Sequence, residues 1–200
     1  MARKYDTTAT MPLLGGRLCL DFANTLTRPD GGAALDRLHT LQDLIAWGEH
    51  AGVLSAETAA RYRADAEADP ETAALQLERA RALRDAVHAA LTGEGDLDDA
   101  IAVIQRHAGG AEPLRLEAGA EGVRVSCASV LGCIGALVAN SVIELLATGA
   151  RERVKACAGE TCRWLFLDES PTGRRRWCSM SLCGNRAKAR RHYQAARASG

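Results

Sequence analysis

The sequence predicts an α+β fold that is mostly helical and has two parts. Residues 1–150 carry apolar residues at helical spacing in successive segments, interrupted by one pair of short alternating segments. Residues 151–200 contain four of the seven cysteines and have more basic than acidic residues. We therefore expect a helical N-terminal domain with a small β-hairpin at 1–150, followed by a C-terminal module at 151–200.

The charge of the chain is divided unevenly between these two parts, although the whole is neutral. Residues 151–200 hold twelve Lys and Arg against four Asp and Glu, a net charge of +8. Residues 1–150 hold thirteen against twenty-one, a net charge of −8. The C-terminal part is therefore the candidate for binding a polyanion.

Helical patterns follow one another through the first half of the chain, with Gly, Pro and capping residues between them. The expected order is a short extended segment passing into a helix or turn at 16–25, a loop at 29–32, and helices at 35–47, 55–68, 72–91 and 96–107. Arg81 and Arg84 lie on the third of these helices, where the default expectation for an arginine is solvated surface.

A change of period predicts a hairpin with one buried face. Leu114 and Leu116 alternate with charged residues, Val123 and Val125 alternate with Arg124 and Ser126, and 118–122 supplies a turn. The apolar segment 129–147 then predicts a helix that is buried inside the domain.

Membrane insertion and secretion are not expected. Glu144 near a bilayer centre would cost about 2.5–3.5 kcal/mol, and the apolar stretch near the N-terminus is broken by Gly15, Gly16 and Arg17. These features indicate a cytoplasmic protein in a reducing environment, where paired cysteines bind metal more often than they form disulfides.

Four cysteines have the spacing of a metal site. Cys157, Cys162, Cys178 and Cys183 follow the pattern C-x4-C-x15-C-x4-C. Four thiolates complete a tetrahedron around Zn²⁺ and leave no open position for water or substrate. We therefore predict one structural zinc ion, with an iron–sulfur centre as the lesser alternative. Cys19, Cys127 and Cys133 are expected to be buried apolar side chains.

The segments around these cysteines suggest the shape of the module. We expect a strand at 165–168, a turn at 170–173, a returning strand at 174–177 and a helix at 187–198. The order of knuckle, hairpin, second ligand pair and helix is like a treble-clef zinc finger. Trp164, Phe166 and Trp177 are expected to pack around the metal, and the zinc ion to supply much of the stability.

The last helix carries the functional hypothesis. Arg186, Arg190, Tyr193 and Arg197 are spaced four, three and four residues apart, which places them on one face. Guanidinium groups fit phosphates and guanine edges. The full candidate set for nucleic-acid binding is Arg174, Arg175, Arg176, Arg186, Lys188, Arg190 and Arg197. Double-stranded DNA is the expected partner, and RNA stays open.

A second hypothesis assigns the basic module to protein interaction. The module would dock on an acidic protein surface of the same or a neighbouring chain without binding DNA, and zinc would only hold its shape. The two hypotheses differ in one observable: whether the arginine face of the last helix is exposed or covered.

Three polar residues interrupt the apolar segment near the N-terminus. Asp21, Asn24 and Thr25 could point into a small-molecule site, or they could satisfy backbone groups as caps and turns. The sequence shows neither a nucleophile–base pair nor a phosphate-binding glycine loop, and we do not expect an enzyme.

Two sequence motifs bear a family resemblance. Residues 176–180 (RWCSM) and 183–188 (CGNRAK), with Cys157, Cys162 and 165–168 (LFLD), resemble the bacterial CGNR zinc-finger family. Residues 18–25 (LCLDFANT) resemble the start of the ABATE-type domain that usually precedes this finger.

The resemblance covers nearly the whole chain and implies a stress-linked transcription regulator. Its zinc finger would bind DNA and its N-terminal domain would bind a ligand. In our own hypothesis the N-terminal domain senses a ligand or forms a homodimer. The four cysteine ligands carry over position by position, and no catalytic residue does. Within the motif we expect Gly184 to adopt a backbone conformation that brings amides to the thiolates, and Asn185 to cap the following helix.

Overall fold

The computed structural model describes residues 7–30, 32–109, 114–119 and 122–198. The N-terminal part of these residues contains six helices: α1 (Leu18–Ala23), α2 (Leu41–His50), α3 (Ala56–Ala68), α4 (Pro70–Thr92), α5 (Leu97–Ala108) and α6 (Val130–Ala147). It also contains two antiparallel strand pairs: β1 (Leu26–Thr27) with β2 (Leu35–Asp36), and β3 (Arg115–Gly119) with β4 (Gly122–Ser126). The predicted fold class, mostly α with small hairpins, is confirmed. The buried face expected for the second hairpin is wrong, because Leu116 and Val123 are each 76% exposed.

Side-chain caps determine where most of these helices begin. Ser55, Asp69, Asp96 and Ser129 each accept a hydrogen bond from the backbone N–H three residues later. At the far end of α4, Gly93 has a φ of 78°, a left-handed conformation that favours glycine and ends the helix. The caps explain why helices α3 to α6 begin within two residues of the predicted positions.

Helix α2 begins later than predicted. The pattern of leucines suggested a helix from Leu35, but Leu35 and Asp36 form a strand that pairs with β1. Thr40 and Asp43 form a capping box that starts the helix at Leu41. Leu38 lies between strand and helix and is fully buried, so its burial does not require helical backbone.

The expectation that Arg84 lies on solvated surface is wrong. Its side chain is 3% exposed and donates two hydrogen bonds to the Asp36 carboxylate, at 2.6 and 3.0 Å. Arg81 donates from Nε to the Leu38 carbonyl at 2.9 Å. Burial by itself would raise the pKa of Asp36, but the hydrogen bonds from Arg84 hold it below its ordinary value. Together the two arginines attach α4 to the β2 segment.

Helix α6 lies at the centre of the N-terminal part. It packs against α1, α4 and α5. Its buried residues include Val130, Leu131, Cys133, Ile134, Val138, Ala139, Val142 and Leu145. Within the described residues it is the helix whose length and composition would allow it to span a membrane, and 56% of it is buried inside the protein.

The C-terminal part begins directly after α6 with a 3₁₀ turn at Ala150–Arg153. Strand β5 (Val154–Ala156) pairs antiparallel with β6 (Leu165–Leu167), and a π-helical turn at Met180–Gly184 continues into α7 (Asn185–Ala198). The returning strand expected at 174–177 is not formed. Strand β6 pairs with β5 instead, and the Arg175 backbone N–H donates to the Asp168 carboxylate at 3.0 Å.

The two parts share one continuous hydrophobic core. At their junction the Asn24 side chain donates to the Leu165 carbonyl at 2.9 Å and accepts from the Leu165 N–H at 2.8 Å. The Trp164 indole N–H donates to the Thr27 hydroxyl at 2.7 Å, and the Leu167 N–H donates to the Gly15 carbonyl at 2.8 Å. The finger is therefore held against the helical part through β6 and the residue before it.

Candidate metal centre and nucleic-acid interface

The fold brings Cys157, Cys162, Cys178 and Cys183 into one buried cluster. Their four Sγ atoms lie within 4.8 Å of one another. The Sγ atoms of Cys162 and Cys178 are 3.7 Å apart, and so are those of Cys178 and Cys183. A disulfide needs about 2.05 Å, so these cysteines are not bonded to each other.

The cluster has the dimensions of a tetrahedral zinc site. With Zn–S bonds of about 2.3 Å, tetrahedral geometry requires sulfur atoms about 3.8 Å apart. The 3.7 Å separations fit this requirement. All four positions are filled by protein thiols, so the site suits a structural ion rather than one that activates water. The prediction of one structural zinc ion is confirmed.

The crowding of the sulfur atoms opposes ionisation of all four thiols unless a cation lies between them. The neighbouring Cys157 sulfur, followed by those of Cys162 and Cys183, raises the pKa of the Cys178 thiol. Several thiolates cannot share so small a volume without a compensating positive charge. Zn²⁺ supplies that charge, and thiolates are the form of cysteine that binds it.

The first pair of ligands lies in the turn between β5 and β6. The Cys157 N–H donates to the Trp164 carbonyl and the Cys162 N–H to the Gly159 carbonyl, both at 2.8 Å. A Cβ on Gly159 would lie 3.5 Å from the Cys183 sulfur and 3.3 Å from the Cys162 Cβ. The contact with the Cys162 Cβ is tighter than usual, whereas the distance to the sulfur is an ordinary van der Waals contact, so a larger residue here would press mainly on Cys162. Arg163, with a φ of 57°, turns the chain into β6.

The second pair lies just before the last helix, and the structure there differs from two expectations. Ser179, not Asn185, is the cap: its hydroxyl accepts from the Leu182 N–H at 3.3 Å, whereas Asn185 already has helical backbone angles. Gly184 does not adopt a special backbone conformation. A Cβ there would lie 2.6 Å from the Met180 sulfur and 3.3 Å from the Trp177 ring, so glycine serves close packing.

The predicted aromatic cluster around the metal is divided in the structure. Trp164 is buried against the helical part through its bond to Thr27. Phe166 is fully buried under the guanidinium of Arg175, 4.4 Å from the ring centroid. Trp177 contacts the turn near Gly184, and Arg176 covers its ring.

Asp168 organises the segment between the two cysteine pairs. Its buried carboxylate accepts hydrogen bonds from Lys155 Nζ at 2.6 Å, from the Ser170 hydroxyl at 2.6 Å and from the Arg175 N–H at 3.0 Å. Lys155, followed by Ser170, holds the pKa of Asp168 well below its usual range. The carboxylate therefore stays ionised and fixes the loop that leads to Cys178. The sequence predicted a strand at 165–168 but did not indicate that Asp168 fixes this loop.

The structure separates the three consecutive arginines. Arg174 and Arg176 are exposed. Arg175 donates from its guanidinium to the carbonyls of Trp177, Cys178 and Leu167. The Arg175 side chain thus closes the loop around the second cysteine pair, and its donors point inward.

The last helix presents its basic residues to solvent. Arg186, Lys188, Arg191 and Arg197 are exposed, and Tyr193 is 71% exposed. Helix α7 packs mainly against the π-helical turn from which it starts. Arg190 is partly covered and forms an ion pair with Glu160 of the knuckle. Among the residues that the structure describes, the arginine face of the helix is therefore mostly exposed, and Arg190 is its partly covered member.

A groove joins this helix to the knuckle. Its volume is about 260 Å³, and Arg176, Arg186, Arg190 and Arg191 line it together with Glu160. Arg191 and Glu160 were absent from the set chosen from the sequence. Arg191 lies one helical turn after Ala187, which also lines the groove, so helical spacing places the two residues on one side of α7. Only the fold brings Glu160, 30 residues away, next to Arg190.

The side chains of Asp21, Asn24 and Thr25 all form hydrogen bonds within the protein. The Asp21 carboxylate accepts from the Gly15 N–H at 2.7 Å, the Thr25 hydroxyl donates to the Phe22 carbonyl at 2.8 Å, and Asn24 pairs with Leu165. Burial raises the pKa of Asp21 to about 6. These contacts correspond to the capping alternative for the three residues, extended at Asn24 across the junction with the finger.

Comparisons with known families agree with this architecture. A family model described as "Putative stress-induced transcription regulator" (ABATE) matches residues 16–149, and a model described as "CGNR zinc finger" matches residues 153–196. Neither description is of an enzyme. No curated protein matches the chain. Because the first model covers more than half of the chain and the second covers the cysteine cluster, the protein belongs to the ABATE family and ends in a CGNR zinc finger.

Proposed function

We propose that the protein is a DNA-binding transcription regulator that contacts double-stranded DNA with α7 and the adjacent finger surface. The observation that carries the proposal is the uncovered basic helix attached to a rigid metal site. Helix α7 holds five Lys and Arg and no Asp or Glu. Its length, about 21 Å for 14 residues, suits the major groove, which admits one α-helix.

The neighbouring surface adds to the charge of the helix. Arg174 and Arg176 lie on the exposed side of the finger, and Arg176 also lines the groove beside α7. Phosphates at the edge of a DNA groove would meet these side chains while α7 faces the bases. We leave Arg175 out of this set because its guanidinium bonds to three backbone carbonyls of the finger.

The protein-interaction alternative is less well supported within one chain. The finger does dock on the helical part, but through Trp164 and Leu165, whose hydrogen bonds involve none of the arginines of α7. The contacts at that junction are mainly neutral hydrogen bonds and apolar packing, with ion pairs Arg17–Glu169 and Arg163–Asp30 at its edge. The basic face thus stays available to a partner outside the chain. In this proposal the helical part senses a ligand or forms a homodimer, and the protein acts in the cytoplasm.

A salt series with duplex DNA tests the proposal. Each phosphate neutralised adds about 0.9 to the slope of log K against log salt, so Arg191→Gln and Arg197→Gln should each lower the slope by about that amount. Arg79→Gln is the matched control, because Arg79 is an exposed arginine on α4. The proposal fails if zinc-loaded protein shows no salt-sensitive binding, or if the control variant lowers the slope as much as the finger variants.

A further inference from the structure

A second groove lies within the helical part, where helices α4 and α5 meet the beginning of α6. Its volume is about 490 Å³, within the range of about 300–1,000 Å³ that is usual for small-molecule sites. Its wall includes Arg79 from α4, Arg106 and His107 from α5, and Ser129 and Leu131 from the start of α6. No residue of the finger lines it among those that the structure describes, so it is separate from the zinc site and from α7.

The wall of this groove carries positive charge that no carboxylate balances within the described part of the chain. Arg79 and Arg106 are exposed, and neither guanidinium forms an ion pair or a hydrogen bond there. Glu78 and Asp99 are the nearest acidic residues along α4 and α5, and neither lines the groove. Two like charges at one groove repel each other, and a bound anion would offset that repulsion.

The guanidinium and amide groups of the wall offer hydrogen-bond donors. A guanidinium donates and has no acceptor. The Gln76 side-chain oxygen already accepts from the Leu131 N–H at 3.3 Å, which leaves its amide nitrogen to donate. The beginning of α6 adds the positive end of a helix dipole, about half an elementary charge. A ligand with negatively charged acceptor oxygens therefore complements these groups.

Apolar side chains form another part of the wall. Leu75 is 44% exposed, and Val103 and Leu131 line the groove beside it. The His107 ring lies against α6 at Gly135, where a Cβ would be 2.5 Å from Nδ1, so glycine makes room for this ring at the groove. An apolar group of a ligand would remove the exposed leucine surface from water, which a bare inorganic anion cannot do.

We propose that this groove binds a small organic anion, a carboxylate or a phosphate ester that also carries an apolar group. The anionic group lies between Arg79 and Arg106, and the apolar group lies against Leu75 and Val103. Asp21, Asn24 and Thr25 do not line the groove.

Helix α6 connects this site to the finger. It begins at the groove, and the 3₁₀ turn that opens the C-terminal part follows its last turn directly. A ligand at the start of α6 is thus placed on the element that leads into the finger. The site itself rests on the groove, whereas its use as the sensor of a transcription regulator rests on the proposed function.

Three small aromatic compounds test the site. Benzoate and phenyl phosphate carry the two anionic groups on the same ring, and benzyl alcohol is their neutral counterpart. Each is titrated into zinc-loaded full-length protein, and the NMR signals of the Leu131 and Gly132 amides report binding at the groove. We expect at least one anion to shift these signals to saturation and benzyl alcohol to bind more weakly; the tighter anion identifies the preferred anionic group. No shift with either anion, or equal affinity for benzyl alcohol, overturns the proposal.

Arg79→Gln and Arg106→Gln test the assigned role of the charges. Each should weaken anion binding by up to roughly fivefold, the upper value for an exposed ion pair, and leave benzyl alcohol unchanged. Arg151→Gln is the matched control, because Arg151 is an exposed arginine outside the groove. An equal effect of Arg151→Gln would contradict the contacts. The DNA salt series contains no organic anion, so Arg79→Gln stays a valid control there.

A second pair of variants tests the location. Ala82→Trp places an indole in the groove, and Ala74→Trp places one on the same helix outside it; both alanines are exposed. Ala82→Trp alone should abolish anion binding, and equal effects of the two would contradict the site. Melting temperature is measured for every variant, so that unfolding is recognised. If the anion binds here in a protein that never binds DNA, the site stands and only the proposed function fails; if DNA binds and no anion does, only this site fails.

Discussion

Replacing Asn24 by alanine should destabilise the protein strongly, because this side chain joins its two parts. Asn24 is 2% exposed, and so is Leu165, whose N–H and carbonyl both bond to it. Asn24→Ala leaves two buried backbone groups without these bonds, at about 1–3 kcal/mol each, so the expected loss is about 4 kcal/mol. For a chain of this size that lowers Tm by about 8–16 °C.

The aspartate variant separates hydrogen bonding from packing. In Asn24→Asp an ionised carboxylate still accepts from the Leu165 N–H but repels the Leu165 carbonyl. Burial raises the pKa of such a carboxyl, and its protonated form can donate to that carbonyl. Because the folded-state pKa lies above the unfolded value, the variant should be destabilised at about pH 7.5 and should recover as the pH falls towards about 5.

Urea unfolding of zinc-loaded protein, followed by circular dichroism at both pH values, measures these differences. Hydrogen exchange at the Leu165 amide reports the junction directly. Asn140→Ala is the matched control, because Asn140 is exposed on α6 and its loss should cost less than about 0.5 kcal/mol. If Asn24→Ala also costs less than about 1 kcal/mol, the junction does not depend on this pair, and a ligand-binding role for Asn24 regains support.

Three further outcomes are expected. Cys183→Ser should lower zinc content and speed hydrogen exchange throughout α7, since a 14-residue helix with little packing is marginal by itself; unchanged exchange after zinc loss would show that the metal does not hold the helix. Glu160→Gln should free Arg190 and steepen the salt slope of DNA binding by about 0.9, whereas Glu152→Gln, the same charge change on the 3₁₀ turn, should have a smaller effect; equal effects would argue against the ion pair. Asp21→Asn should flatten the pH dependence of stability. The Asp21 pKa is about 6 in the folded state against an ordinary 3.8, so the wild type should lose roughly 3 kcal/mol of stability as the pH rises from 3.8 to about 6. Urea titrations across this pH range that give the same slope for variant and wild type would refute the role of Asp21.

Much of the fold could be predicted from local signals. Ser55, Asp96 and Ser129 mark helix starts because a cap acts on the backbone only three residues away. The zinc site could be predicted because two close cysteine pairs have few other uses in a reducing environment. The start of α2 could not, because leucine spacing does not reveal that Leu35 pairs with Thr27 in a strand.

The sequence by itself determined the helical class, the four metal ligands and the basic character of the last helix, since each depends on residue type and short spacing. Only the tertiary structure decided which polar side chains are free. It directed the Arg175 guanidinium to backbone carbonyls, buried Arg84 against Asp36 and joined Asn24 to Leu165, 141 residues away. The physical reason is that a buried polar group must find a hydrogen-bond partner, and that partner comes from whichever distant segment the packing brings next to it.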